Sequence, residues 1–304
     1  DRKIKMDYID LSLYTKLSKI GESSFSKEYK IKGHETDILY EASILKSNFD
    51  ALSDDERRRT TNMINLIQNF NHPSILKFIG CSSVDFKGDN RITIVNELMP
   101  NGSLCNIIDL AMKSILPPAW NDTKTLINLY GIASAMSYLH SHDILHLDLK
   151  PENVLLDDNL YPKLTDFYLA TKISDLPITN VIGTPIYMAP EIVKNQEYSK
   201  ACDVYSFALI VFELITYQKP YENINYFQLM LKISQGYRPK IPPQTPSSYK
   251  NLIESCWAED PSKRPTFEEI LKLLKSDKEF ITDSVDEEEF LNYVSLIEEV
   301  YNDK

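Results

Sequence analysis

His146-Leu147-Asp148-Leu149-Lys150-Pro151-Glu152-Asn153-Val154-Leu155-Leu156 is the stretch from which the fold can be read. It sets an acid, a base and an amide between an apolar lead-in, Ile144 and Leu145, and an apolar run-out from Val154 to Leu156. Pro151 bars a helix across the middle, because its ring fixes φ and removes an N–H. The stretch is therefore expected to be a loop pinned at both ends by buried segments. Asp148 can accept a proton, Lys150 can meet a negative oxygen, and Asn153 can offer an amide oxygen to a hard cation. Shortly after, Lys163-Leu164-Thr165-Asp166-Phe167-Tyr168 makes a strand-like approach to a second carboxylate. Two oxygen ligands beside a base and a lysine suit magnesium-assisted phosphoryl transfer.

These residues resemble the catalytic loop of eukaryotic protein kinases, H-R-D-L-K-P-x-N, with Leu147 in place of arginine. Asp166-Phe167-Tyr168 is similar to D-F-G, with Tyr168 for glycine, and Ala189-Pro190-Glu191 matches A-P-E. The resemblance covers roughly residues 15 to 275. It implies an α+β, bilobal protein kinase fold, with a small antiparallel β-sheet lobe carrying one helix and a larger, mainly helical lobe. It implies lobes at residues 1–100, hinge included, and 101–276; beyond them residues 277–304 read from their own pattern as an acidic helical extension. By the same resemblance Asp148 and Lys150 are catalytic, and Asn153 and Asp166 hold the metal. His146 is expected to pack in an apolar spine with Phe167 rather than act as a base. Asp203 is expected to hold the loop backbone, and Arg264 to pair with Glu191. Thr184 with Lys150 is the serine/threonine-type pairing. Thr171, Ser174 and Thr179 are candidate phosphosites, although Leu147 replaces the arginine that would bind an activation-loop phosphate.

The first lobe departs from the family pattern. Ile20-Gly21 opens a stretch similar to the glycine-rich loop, but Ser23 and Ser26 hold the second and third glycine positions and Glu28 holds an apolar one. Glycine matters there because backbone N–H groups must close on phosphates without a Cβ in the way. Aligned on the family's third strand, Ser43 falls where a phosphate-binding lysine belongs and Glu41 where a small residue roofs the adenine. A shift of one or two residues would move Glu41 into the lysine slot, and no register puts a lysine there. Lys27, Lys30 and Lys46 are left as stand-ins. Met63 occupies the position of the helix glutamate that pairs with that lysine, so the ion pair is expected to be lost as a whole. Asn96 resembles the gatekeeper. Glu97 and Met99 would face an adenine edge with their backbones, and Leu155 is among the nucleotide-contacting positions. Met99-Pro100-Asn101-Gly102-Ser103-Leu104 resembles the tyrosine-kinase-like branch of serine/threonine kinases.

Local patterns predict further elements. Residues 38–45, 75–80 and 91–96 read as strands. Ser53 with Glu56 forms a capping box, and a helix capped at Asn121 or Asp122 runs through His140. Asp283 caps a last helix with Phe290, Tyr293, Val294, Ile297 and Val300 on one stripe, expected to dock on its own domain.

Composition narrows the functional classes. The chain has 304 residues and a net charge of −11, which argues against nonspecific nucleic-acid or anionic-membrane binding. Cys81, Cys105, Cys202 and Cys256 are scattered, without C-x-x-C, and read as free thiols in a reducing, cytoplasmic setting. No apolar run is long enough for a membrane span. The lack of an initiator Met reads as a fragment or a trimmed chain, and neighbouring domains outside it are counted among the candidate partners. Two functional expectations follow. One is a pseudokinase that signals through protein partners with weak or absent phosphotransfer. The alternative is an active, atypical serine/threonine kinase that uses Mg2+ and ATP on protein substrates; the pseudokinase reading allows no cofactor at all. A purely structural module ranks third.

Overall fold

The computed structural model describes residues 8–23, 25–176, 182–194, 197–222 and 224–302. They divide into two compact units, one of residues up to 71 with 76–100, the other of 72–75 with 101 onward.

In the first unit alternating, β-branched sequences form β1 (Tyr14–Glu22), β2 (Ser26–Gly33) and β3 (Leu39–Leu45). After α1 (Asp54–Ile67) come β4 (Phe78–Ser82) and β5 (Thr93–Glu97), and the strands join one antiparallel sheet in the order β1-β2-β3-β5-β4. Successive side chains on a strand point to opposite faces, so the register assigns each residue its side. Ile31, Ala42 and Val95 bury one face together with Leu11. On the other face Ile94 and Cys81 pack with Ile64 of α1. Glu28 pairs with Ser43, Lys30 with Glu41, Glu41 with Asn96 and Ser43 with Ile94, so all of these lie on the α1 side. α1 starts at the expected capping box, with Glu56 N donating to Ser53 Oγ at 3.3 Å and Ser53 N to Glu56 Oε2 at 2.8 Å.

The second unit contains α2 (Leu104–Met112), α3 (Asp122–Ser141), β6 (Ile144–Leu145), β7 (Val154–Leu156), β8 (Pro162–Leu164) and β9 (Thr171–Lys172). It continues with α4 (Pro190–Val193), α5 (Lys200–Thr216), α6 (Tyr226–Ser234), α7 (Ser247–Cys256), α8 (Phe267–Ser276) and α9 (Glu287–Asn302). α3 and α5 are buried nearly all round; α5 is largely apolar, whereas α3 also buries Thr123, Thr125, Asn128, Ser134 and His140. α3 is capped by Asn121, which accepts from Lys124 N at 2.9 Å, and packs against α8 and α9. β7 pairs with β8 and β6 with β9, both antiparallel. A five-stranded antiparallel unit with one helix and a mainly helical unit are the α+β kinase fold that the motifs imply.

Three local expectations are corrected. The strand read at 75–80 begins only at Phe78, because Ile75 joins the second unit, bridging to Leu164 while Leu164 N donates to Ser74 O at 2.7 Å. The strand read at 91–96 runs instead over Thr93–Glu97. The last helix is capped by Asp286, which accepts from Glu289 N at 3.0 Å, and not by Asp283. Asp286 takes the role because its own N–H is anchored to Thr123 Oγ1 at 2.8 Å. Phe290, Tyr293, Val294 and Ile297 form the buried stripe, while the Val300 side chain lies outside the described residues.

Gly131 lets α9 come close. A Cβ there would collide with the Tyr293 hydroxyl and with Pro162 Cγ. Gly→Ala inside a helix ordinarily stabilises by about 0.5–1 kcal/mol. Here the sign is expected to reverse: Gly131→Ala should lose about 1–3 kcal/mol by overpacking, read as a lower urea midpoint.

Candidate active site

The second unit builds its candidate site on Asp203 of α5, a carboxylate only 1 % exposed. It accepts from His146 N at 3.1 Å, Leu147 N at 3.0 Å and His140 Nε2 at 2.8 Å. Burial alone would raise this carboxyl, but the hydrogen bond and charge of His140, with the other donors, outweigh it and hold the pKa below the usual range. The same bonds keep Leu147 at φ 64°, a left-handed conformation that a leucine rarely adopts. His146 is fully buried, its ring 5.2 Å from that of Phe167. Its Nδ1 accepts from Asp148 N at 3.3 Å, so Nε2 carries the proton, 3.1 Å from Thr165 O. Both ring nitrogens are thus engaged within the fold, and His146 packs as expected.

Asp148 is the centre of the network. Its Oδ1 accepts from Thr184 Oγ1 at 2.6 Å and Thr184 N at 3.1 Å, and its Oδ2 from Lys150 Nζ at 2.7 Å and Asn153 Nδ2 at 3.1 Å. Lys150 Nζ also donates to Thr184 Oγ1 at 2.9 Å. Burial pushes the Asp148 carboxyl up, but the Lys150 and Thr184 hydrogen bonds push it further down, so it is ionised at neutral pH. An ionised carboxylate beside an ammonium can orient a hydroxyl and receive its proton.

Asn153 and Asp166 are brought together by the β7–β8 ladder. Thr165 N donates to Asn153 O at 2.9 Å just beyond the Val154–Leu164 pair, and Asp166 follows at φ 60°. The Asn153 amide donates through Nδ2 to Asp148 O at 2.8 Å, which leaves Oδ1 as a possible ligand. Asp166 is held above the usual carboxylate range by the surrounding protein and then by the Asp148 charge, although one face stays open to solvent. A divalent cation would relieve that repulsion. Two hard oxygen donors fit Mg2+, which dehydrates reluctantly and completes its shell with water and phosphate oxygens. Among the described residues no three acidic, histidine or cysteine side chains converge on a metal site. Leu155, in β7, is half-buried and bridges to Ser103.

Residues 182–191 are seated on this network. Gly183 has φ +121°, and a Cβ there would lie 2.6 Å from Leu147 O, so glycine is required. Ser206 Oγ donates to Tyr187 O at 2.8 Å, and Tyr187 OH donates to Glu213 Oε1 at 2.5 Å. Arg264 grips Glu191 with two bonds of 2.6 and 2.8 Å, the pairing implied by the motifs. Thr171 lies in β9 and Ser174 is exposed, whereas Thr179 lies outside the described residues.

The first unit carries the loop and strand residues singled out in its sequence. Ile20 is 47 % exposed, and Gly21 pairs with Glu28. Ser23 Oγ accepts from Phe25 N at 3.2 Å and Ser26 N at 3.0 Å and lies 3.0 Å from Ser26 Oγ. These loop N–H groups are therefore taken by a side chain of the loop itself. The Glu28 carboxylate accepts from Ser26 Oγ at 3.2 Å and lies against Gly21, where a Cβ would collide with it. Glu41 is pushed up to about 7 by burial and by the Glu28 charge. Ser43 and Met63 are both half-buried, and Met63 packs on the Ile64 cluster. Of the candidate stand-ins, Lys46 Nζ is 2.7 Å from Glu22, which also pairs with Lys19. Lys27 lies on the opposite face from Ser43, paired with Ile44, while Lys30 shares the face of Glu41. Asn96 sits across from Glu41 near the end of β5, Glu97 Oε1 accepts from Lys77 N at 2.8 Å, and Met99 is half-buried. Sequence reasoning took Ser23 only as a lost glycine. The signal for its capping role was a hydroxyl followed closely by backbone N–H groups in a turn.

The family described as the protein kinase domain matches residues 14–274, and the chain belongs to it. A probable LIM domain-containing serine/threonine-protein kinase of Dictyostelium discoideum is 34% identical over 284 residues, covering 90% of this chain and 42% of that protein. The probable serine/threonine-protein kinase drkC of the same organism is 35% identical over 218 residues, 69% of this chain and 28% of that one. A putative serine/threonine-protein kinase/receptor of Acanthamoeba polyphaga mimivirus is 34% identical over 210 residues, 68% of this chain and 12% of that protein. The chain thus spans less than half the length of these relatives.

Proposed function

We propose that this protein kinase domain is a pseudokinase of the tyrosine-kinase-like branch, signalling through protein partners with weak or absent phosphotransfer. The observation that carries the reading is the Ser23 hydroxyl, which accepts from Phe25 N and Ser26 N where the family's loop would offer those groups to phosphate. Three further features support it. Ser43 stands in the lysine position, Lys46 is engaged by Glu22, and two carboxylates lie on the α1 side of the sheet. Desolvating a carboxylate against a purine costs several kcal/mol unless it is protonated or paired. The proposal keeps lobes at 1–100 and 101–276 and the extension at 277–304, and places the domain in the cytoplasm, in keeping with its four free thiols.

A second reading, an active serine/threonine kinase, is favoured by the Asp148–Lys150–Thr184 network and by the names of the relatives. If active, the domain uses Mg2+ and ATP, with Asn153 and Asp166 as the protein's metal ligands and Lys30 the lysine placed to replace the missing one. Thermal shift with ATP, with and without magnesium, separates the readings. Little stabilisation of the wild type is expected. Ser23→Gly frees both N–H groups and should tighten ATP binding about tenfold, or about 1.4 kcal/mol. Strong magnesium-dependent stabilisation of the wild type, with radiolabel transfer that vanishes in Asp148→Asn, would establish the active reading instead.

A further inference from the structure

Tyr198 lies between α4 and α5, and no motif singles it out. Its hydroxyl accepts from Ile182 N at 2.8 Å. Ile182 directly precedes Gly183, whose φ of +121° turns the chain against Leu147 O. Beyond that turn Thr184 donates twice to Asp148 Oδ1, through N and Oγ1, and its Oγ1 accepts from Lys150 Nζ. The chain therefore enters the Asp148 network through a left-handed glycine that is fixed on its far side by Thr184 and on its near side by Tyr198. A glycine in that conformation has unusual freedom, so the near-side anchor decides whether Thr184 stays in reach.

We propose that the Tyr198 hydroxyl is the positioning group that seats Thr184 on the Asp148 carboxylate. The Leu147 side chain beside this turn is apolar and offers the segment no donor or charge, and its backbone N–H is taken by Asp203. Ser206, Glu213 and Arg264 hold the chain only from Tyr187 onward. Among the described residues Tyr198 is thus the anchor on the Ile182 side, and its role is independent of whether the domain transfers phosphate.

The test is amide hydrogen exchange in the intact domain. Tyr198→Phe removes the acceptor but keeps the ring, so a role in packing alone predicts no change. Exchange at Ile182 is expected to accelerate about tenfold, from the loss of one hydrogen bond, and exchange at Thr184 to rise with it. Amides of α5 should keep their wild-type rates. Thr184→Val, which leaves the clasp intact, should leave Ile182 protected. Unchanged exchange in Tyr198→Phe would overturn the proposal. So would faster exchange at Ile182 alone, because the clasp would then exist without seating Thr184.

Discussion

Arg264→Ala is expected to destabilise the domain by about 3–5 kcal/mol, the range for stripping one partner from a buried ion pair. The Arg264 and Glu191 side chains are 0 and 4 % exposed, so the carboxylate left behind has no water to turn to. The guanidinium also donates to Ala201 O at 2.9 Å and to Ala258 O at 2.9 Å, tying the start of α5 to the loop before α8. A loss of this size is a large part of the roughly 5–15 kcal/mol that a domain has in total. Urea unfolding measures it. The double variant Glu191→Gln with Arg264→Met should recover much of the loss, since no uncompensated charge remains. A double variant as weak as Arg264→Ala would show that the carbonyl contacts, and not the orphaned charge, carry the effect.

Glu41→Gln is expected to stabilise the domain at pH 8 and to do nothing at pH 4. In the folded protein the Glu41 carboxyl is raised to about 7, by burial and by Glu28, from an ordinary value of 4.5. Below 4.5 folded and unfolded chains both hold the proton. Between 4.5 and 7 the unfolded chain ionises while the folded one does not, so wild-type stability falls as pH rises and levels off above 7. At about 1.4 kcal/mol per pH unit the ceiling is ~3 kcal/mol. Urea midpoints of wild type and variant across this range give the difference directly. It should be near zero at pH 4 and largest above 7, and a difference that does not change with pH would refute the assignment. The same neutralisation should improve nucleotide binding at neutral pH, because it removes one negative charge from the α1 side of the sheet.

The Asp148, Lys150 and Asn153 cluster was legible because these neighbours in sequence are also partners in space. Asp148, Lys150 and Asn153 lie within one loop, and Pro151 excludes a helix there. Thr184 and Asp203 are distant in the chain, and only the family resemblance brought them to the loop. The strand at Ile75 and the cap at Asp283 were misread because contacts from elsewhere in the chain overrode local pattern. Leu164 recruits Ile75 to the second unit, and Thr123 anchors Asp286 instead of Asp283.

By itself the sequence determined the kinase fold, the residue types of the 146–156 loop and the positions at which the first unit departs from the family pattern, since each is written in side-chain type and short-range spacing. The tertiary structure alone decided what surrounds those positions. Strand register puts Glu28, Glu41 and Ser43 on one face, Ser23 satisfies its own loop, Glu22 engages Lys46, and Tyr198 reaches Ile182. A hydrogen bond or an ion pair depends on positions in space to within a fraction of an ångström, and pattern along the chain carries no such information.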